Sequence, residues 1–225
     1  MLKHSIIVDY DTGRYPFQKV LAALFRVPVL DKLHTTWKQR TAKAGLTYDD
    51  NLLLRKKMQG LKEDALFYTV YHRWITDVLS PHYGGHISYS AHPKMRVHLA
   101  RTGSVSNFHR DADVTGRAMQ INCYLPFTDV FDSNTLWCES DYGLKDYKPI
   151  NLRYGQAILW DGGYLTHGTV ENETDFTRVS CDFRFQPKLP DRVSPPWSTI
   201  LSGRDQSTTL DQTVQEGARE YGGKM

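Results

Sequence analysis

The chain has 225 residues, 40% of them hydrophobic and 12% aromatic, enough apolar material for one domain with a sizeable core. Its net charge of +3 and isoelectric point of about 8.6 are too mild to argue for a nucleic-acid partner. Its apolar runs are too short to cross a bilayer, and MLKHSIIVDYD lacks the apolar stretch of a signal peptide, so a cytoplasmic protein without a membrane partner is expected.

In chain order, residues 5–10 (SIIVDY) read as a short strand. A helix is expected over 16–26, with Pro16 near its first position and Val27-Pro28 ending it. A second covers 48–59. A third covers 62–79, where Leu66, Val70, Trp74, Ile75 and Val78 recur at helical spacing before Pro81 and Gly84-Gly85 break the chain. From residue 86 the pattern changes to short strands at 86–90, 94–101, 117–125, 134–139, 155–160, 166–170 and 176–186. Helices first and strands second give an α+β chain. It reads as a single domain over 1–225: a mainly helical buttress (1–85), a strand-rich core (86–186) and a carboxy-terminal extension (187–225) with one helix near 208–221. Three cysteines cannot all pair, and no Cys-x-x-Cys is present, so buried thiols in a reducing compartment are expected.

The chemistry concentrates in the strand-rich part. His109 and Asp111 lie two apart, so on an extended segment both side chains point the same way. With His167 from another strand, they make two imidazoles and one carboxylate, a set that binds one face of a non-haem Fe(II) and leaves positions open. The bland alternative is a hydrogen-bonded core histidine and a turn aspartate. Along 178–185, Arg178, Ser180, Asp182 and Arg184 share one face, and Val179, Cys181, Phe183 and Phe185 the other. The Arg178 guanidinium is a planar fork suited to a carboxylate. Gln120, Asn122 and Tyr124 form a second alternating row, and Thr135, Trp137 and Glu139 a third. Trp160 is open to packing or substrate contact, and His98 is a possible cavity residue.

The segments SNFHRDADVTGR (106–117), LTHGT (165–169) and TRVSCDFRF (177–185), in that order, resemble the Fe(II)/2-oxoglutarate-dependent dioxygenases. GQAILWDGGYLTHGTVEN (155–172) is similar to their approach to the distal histidine. INCYLPFTDVFDSNTLWCES (121–140) looks most like the small-molecule oxygenases of aminoglycoside antibiotic biosynthesis, of the streptomycin type. The resemblance spans about 90–185. It implies a double-stranded β-helix, or jelly roll, buttressed by the amino-terminal helices. His109, Asp111 and His167 would hold Fe(II), and Arg178 and Ser180 would anchor the distal carboxylate of the cosubstrate 2-oxoglutarate, with Gln120 and Asn122 beside it. O₂ would be the oxidant, with succinate and CO₂ released. Because Asp111 supplies the carboxylate ligand, the resemblance argues against halogenation.

The implied substrate is a small polar secondary metabolite, an aminocyclitol or aminoglycoside, oxidised at a C–H bond. Tyr124, Thr135, Trp137, Glu139 and Arg184 are the candidate substrate residues, with Glu139 set to pair with an amine. Loops 102–108 and 112–116 are candidate lids. Two alternatives stand: an oxygenase of the same superfamily acting on an amino acid, nucleic acid or protein, and a non-catalytic jelly roll that binds a sugar.

Overall fold

The structure, a computed structural model, describes residues 2–116 and 120–187. The expected tail helix near 208–221 and the start of the 117–125 strand lie outside the described residues. The helical part contains α1 (Phe17–Phe25), α2 (Leu33–Thr41), α3 (Tyr48–Gln59) and α4 (Leu66–Trp74), and α4 runs on through a π-helical turn, Ile75–Leu79. Sequence periodicity missed α2 because Leu33 is its only buried residue. Residue Arg26, in the left-handed region at φ 55°, closes α1 just before Val27-Pro28.

Two antiparallel sheets follow, so the chain is α+β. The larger contains β1 (Ser5–Asp9), β2 (Ile87–Tyr89), β3 (Lys94–His98), β4 (Ile121–Pro126), β7 (Gln156–Trp160) and β9 (Arg178–Pro187). The smaller has the order β6 (Lys148–Pro149), β5 (Trp137–Cys138), β8 (His167–Gly168). Strand β9 organises the larger sheet. One edge pairs with β4; the other pairs first with β3, from His98 opposite Arg178 to Lys94 opposite Asp182, and then with β2. The strand expected over 134–139 shrinks to Trp137–Cys138 because a 3₁₀ turn, Asp132–Asn134, runs up to it.

Alternation on the strands sorts the core into two layers. Val179, Cys181, Phe183 and Phe185 of β9, with Ile121, Cys123 and Leu125 of β4, face the helices and join one large apolar cluster. The Phe183 ring meets Tyr71 of α4 edge-on at 5.4 Å. The opposite face of the sheet contributes Tyr124, Ile158 and Trp160 to a smaller cluster with Cys138, Ile150 and Leu165. The three cysteines are buried and free. Among the described residues no helix is long and apolar enough to cross a membrane.

Helix α3 is fastened to the end of β3 through one buried side chain. The Asn51 Oδ1 accepts the Leu99 N–H at 2.8 Å, and its Nδ2 donates to Thr102 Oγ1 at 3.0 Å. At the start of α3, burial alone would raise the Asp50 carboxyl. Hydrogen bonds from Lys43, Trp37 and the Thr47 N–H instead bring its pKa to about 2. Asn51→Ala would strand the Leu99 N–H in the interior and should lower the unfolding free energy by about 1–3 kcal/mol. Urea denaturation checks this; an unchanged midpoint would show that the bond contributes nothing net.

Candidate metal centre and its cavity

His109 and His167 are brought together by their own backbones. They form one antiparallel bridge, the His109 N–H donating to the His167 carbonyl at 2.9 Å and the His167 N–H to the His109 carbonyl at 3.0 Å. Their rings sit with centroids 4.7 Å apart. Each Nδ1 lies against a backbone carbonyl, Asn107 for His109 at 2.7 Å and Leu165 for His167 at 2.9 Å. Such a bond selects the tautomer that leaves Nε2 free as a ligand. Asp111 does not continue an extended segment, as the sequence led one to expect. It opens a short helix, α5 (Asp111–Thr115), with its N–H on the Gly162 carbonyl at 2.9 Å. Ligand atoms from the three side chains still lie within 4.8 Å of one another.

The carboxylate is held from two sides. Arg184 grips both oxygens of Asp111, at 2.5 and 2.8 Å, and the Asn122 amide donates to Oδ2 at 2.5 Å. Burial alone would push the Asp111 carboxyl up. The bonds from His109 and Arg184, the neighbouring His167 and the Asn122 amide hold it well below the usual carboxylate range. Burial lowers the His167 pKa, so its imidazole stays neutral, whereas Asp111 raises that of His109. Two glycines make room. A Cβ on Gly162 would lie 2.5 Å from the Asn122 amide, and one on Gly168 would lie 2.8 Å from the Phe108 backbone.

The centre opens into a cavity of about 500 Å³, mouth included, whose lining includes Arg178, Tyr124, Trp160, Leu136 and Val105. Arg178 is 2% exposed, and among the described residues it has no ion-pair partner. Its Nε and Nη1 are buried without a hydrogen bond, and so are Ser180 Oγ, Tyr124 Oη and Trp160 Nε1. Buried polar atoms are nearly always paired, so such a cluster on one cavity marks the seat of a polar ligand. An unpaired buried guanidinium specifies an anionic one. His98, opposite Arg178 on β3, has its pKa lowered to about 3 by burial and by Arg178 itself, so it adds no second charge. The donor set therefore fits both a divalent metal and a carboxylate ligand beside it.

No family model matches the chain. It is 30% identical over 181 residues to the streptomycin biosynthesis protein StrG of Streptomyces griseus, a match covering 69% of this chain and 85% of StrG. The chain belongs to the StrG family. Its fold is shared with non-haem oxygenases. A nickel complex of the non-haem monooxygenase ThoJ matches 86% of this chain and 76% of ThoJ, with TM-score 0.53 at 17% identity. EctD from S. alaskensis, solved with 2-oxoglutarate and 5-hydroxyectoine, matches 90% of this chain and 81% of its own, with TM-score 0.53 at 15% identity.

In this StrG-family chain several expected cavity residues are engaged elsewhere. The Glu139 carboxylate is 1% exposed and accepts the N–H groups of Thr166 at 2.6 Å and Lys145 at 3.2 Å, so it shapes the turn before β8 and faces no substrate. The Thr135 hydroxyl donates to the Ile150 carbonyl, and the Trp137 indole to the Asp132 carbonyl. The opposite face of the same alternating row looks inward, so Leu136 lines the cavity in their place. Gln120 is half-buried off the cavity lining, and His98 stands behind Arg178 instead of lining it. Loop 102–108 is no free lid: Ser104, Val105 and Ser106 are stitched to Thr169. The 112–116 segment is largely α5. Sequence reasoning missed Lys94 and Arg96 as cavity residues. Their alternation with the apolar Met95 and Val97 on β3 was the available signal.

A metal needs both imidazoles neutral. Because Asp111 raises the His109 pKa, protons should compete for it from above the ordinary histidine value of about 6.5. Cobalt(II) affinity should therefore fall as pH drops through that range. His167→Ala should weaken binding by more than about 100-fold, beyond what loss of an outer-shell partner costs. Absorption titration of Co(II) checks both; stoichiometric binding by the variant would remove this site as the metal centre.

Proposed function

We propose that this protein is an Fe(II)- and 2-oxoglutarate-dependent oxygenase that oxidises a C–H bond of a small polar secondary metabolite, an aminocyclitol or aminoglycoside. The observation that carries the reading is the wholly buried, unpaired Arg178 sharing one cavity with the His109, Asp111 and His167 cluster. The two antiparallel sheets read as the halves of a double-stranded β-helix. Relationship to StrG, a streptomycin biosynthesis protein, supports an antibiotic-pathway metabolite. A non-catalytic sugar-binding jelly roll would leave both the ligand cluster and the buried guanidinium without a role.

In this reading the triad holds Fe(II) on one face, as two imidazoles and a carboxylate can. Bound iron with 2-oxoglutarate and O₂ supplies the oxidising power for C–H cleavage, with succinate and CO₂ as by-products. The chain's own residues do the placing. Arg178 takes the distal carboxylate of 2-oxoglutarate through a charge-assisted pair, and Ser180 and Tyr124 add hydroxyls. Arg184 and Asn122 hold Asp111 in one orientation, so the carboxylate meets the metal with its rotation already restricted. Leu136, Val105 and the edge of Trp160 give the cavity apolar wall that limits water around the reacting atoms.

Arg178→Ala should raise the 2-oxoglutarate concentration needed for half-saturation by at least tenfold, since a hydrogen bond to a charged group contributes about 1.5–3 kcal/mol. Anaerobic titration of the weak visible band of the Fe(II)–2-oxoglutarate complex measures it. A variant that titrates like the parent protein would place the anchor elsewhere.

A further inference from the structure

The cavity carries more positive charge than the metal chemistry uses. Its lining holds four cations, Lys94, Arg96, Arg178 and Arg184, against two carboxylates, Asp111 and Asp182. Arg184 is committed to Asp111 through two bonds, whereas Arg96 gives Asp182 one bond, from Nε at 2.7 Å, and keeps its terminal amino groups. A divalent metal and dianionic 2-oxoglutarate would cancel one another, so a surplus of two positive charges stays.

With Arg178 assigned to the cosubstrate, Lys94 is the lining cation left over, and it is exposed at the cavity. Among the described residues Lys94 has no ion-pair partner. Arg96 and Val105 also line a shallow adjoining recess, on whose wall sits Arg55 of α3. The Arg55 Nε is buried and unbonded, and its guanidinium likewise has no ion-pair partner among the described residues. Burial and then Arg96 lower the pKa of both Lys94 and Arg55, with Asp182 opposing in part, so the three cations lie close enough to repel one another. Crowding like charges opposes folding unless an anion is received there. One acidic side chain, Asp182, faces them, and it is shared with Arg96.

We propose that the substrate is an anion, bearing a phosphate monoester or a carboxylate that Lys94, Arg96 and Arg55 receive beside the metal centre. The inference rests on the oxygenase reading and sharpens its substrate class. The polar metabolite enters as an acidic derivative, and its acidic group, not an amine, orients it. Two guanidinium forks and one ammonium match the oxygens of such a group.

Anaerobic calorimetry on the protein loaded with Fe(II) and 2-oxoglutarate tests this, with D-glucosamine, D-glucosamine 6-phosphate and D-glucuronate as probes. At least one anionic probe should bind ten or more times tighter than the cationic glucosamine, and which one does so separates phosphate from carboxylate. Lys94→Gln and Arg55→Gln should each reduce that preference at least fivefold while changing 2-oxoglutarate affinity less than twofold. Anionic probes that bind no tighter than glucosamine, absence of binding included, overturn the inference and leave the oxygenase reading standing. An equal loss of 2-oxoglutarate affinity in Lys94→Gln also overturns it, because the cluster then serves the cosubstrate. Failure of the parent protein to take up 2-oxoglutarate in the first titration is failure of the oxygenase reading, and the inference falls with it.

Discussion

The pair of backbone hydrogen bonds exchanged between His109 and His167 is the constraint around which the candidate site is built. A backbone bridge fixes the two Cα positions without consuming either ring. Each ring then has one nitrogen left for a neighbouring carbonyl and one for a ligand. The third side chain is positioned by a separate device, the first turn of α5 hung from the Gly162 carbonyl. Ligands set by backbone geometry are preorganised, because bringing them together costs little side-chain entropy when a metal arrives.

Strand β9 extends that order to the rest of the cavity. Its apolar face is clamped between β4, β3 and the aromatic side chains of α4, so its register has no freedom to slip. A one-residue shift would drive Arg178, Ser180, Asp182 and Arg184 into the helical core. The burial of Phe183 and Phe185 thus decides where the charges of the other face stand. The helices bear on the site in this indirect way, and α3 also brings Arg55 to the recess beside Arg96.

Electrostatics divides the cavity into parts. Asp111 is satisfied by Arg184 and Asn122, so its charge is fixed well below neutral pH. Arg178 is buried without an ion pair among the described residues, with the Tyr124 hydroxyl near it, a state with a large desolvation penalty that a carboxylate ligand would relieve. Lys94 on the cavity lining and Arg55 on the adjoining recess add positive charge that has no ion-pair partner among the described residues. The Glu139 carboxylate, which alternation alone would have turned toward the substrate, is spent on backbone N–H groups.

The sequence by itself determined the division into a helical first part and a strand-rich second part, the faces of β9 and the residue types able to hold a metal. These follow from period-two alternation, from Pro and Gly punctuation and from donor chemistry, all of which are local. It also carried the family resemblance, in motifs short enough to survive as text. Only the tertiary structure decided how Asp111 reaches the two histidines, because a helix start replaces the extended segment that the His-x-Asp spacing suggested. It alone turned Thr135, Trp137 and Glu139 away from the cavity and Leu136 toward it, since alternation pairs the residues of a face without saying which face looks inward. The joining of Arg55 to Lys94 and Arg96 was likewise invisible. Residues far apart in the chain meet only through the packing of α3 on β3, and no local pattern records which charges will be left without partners.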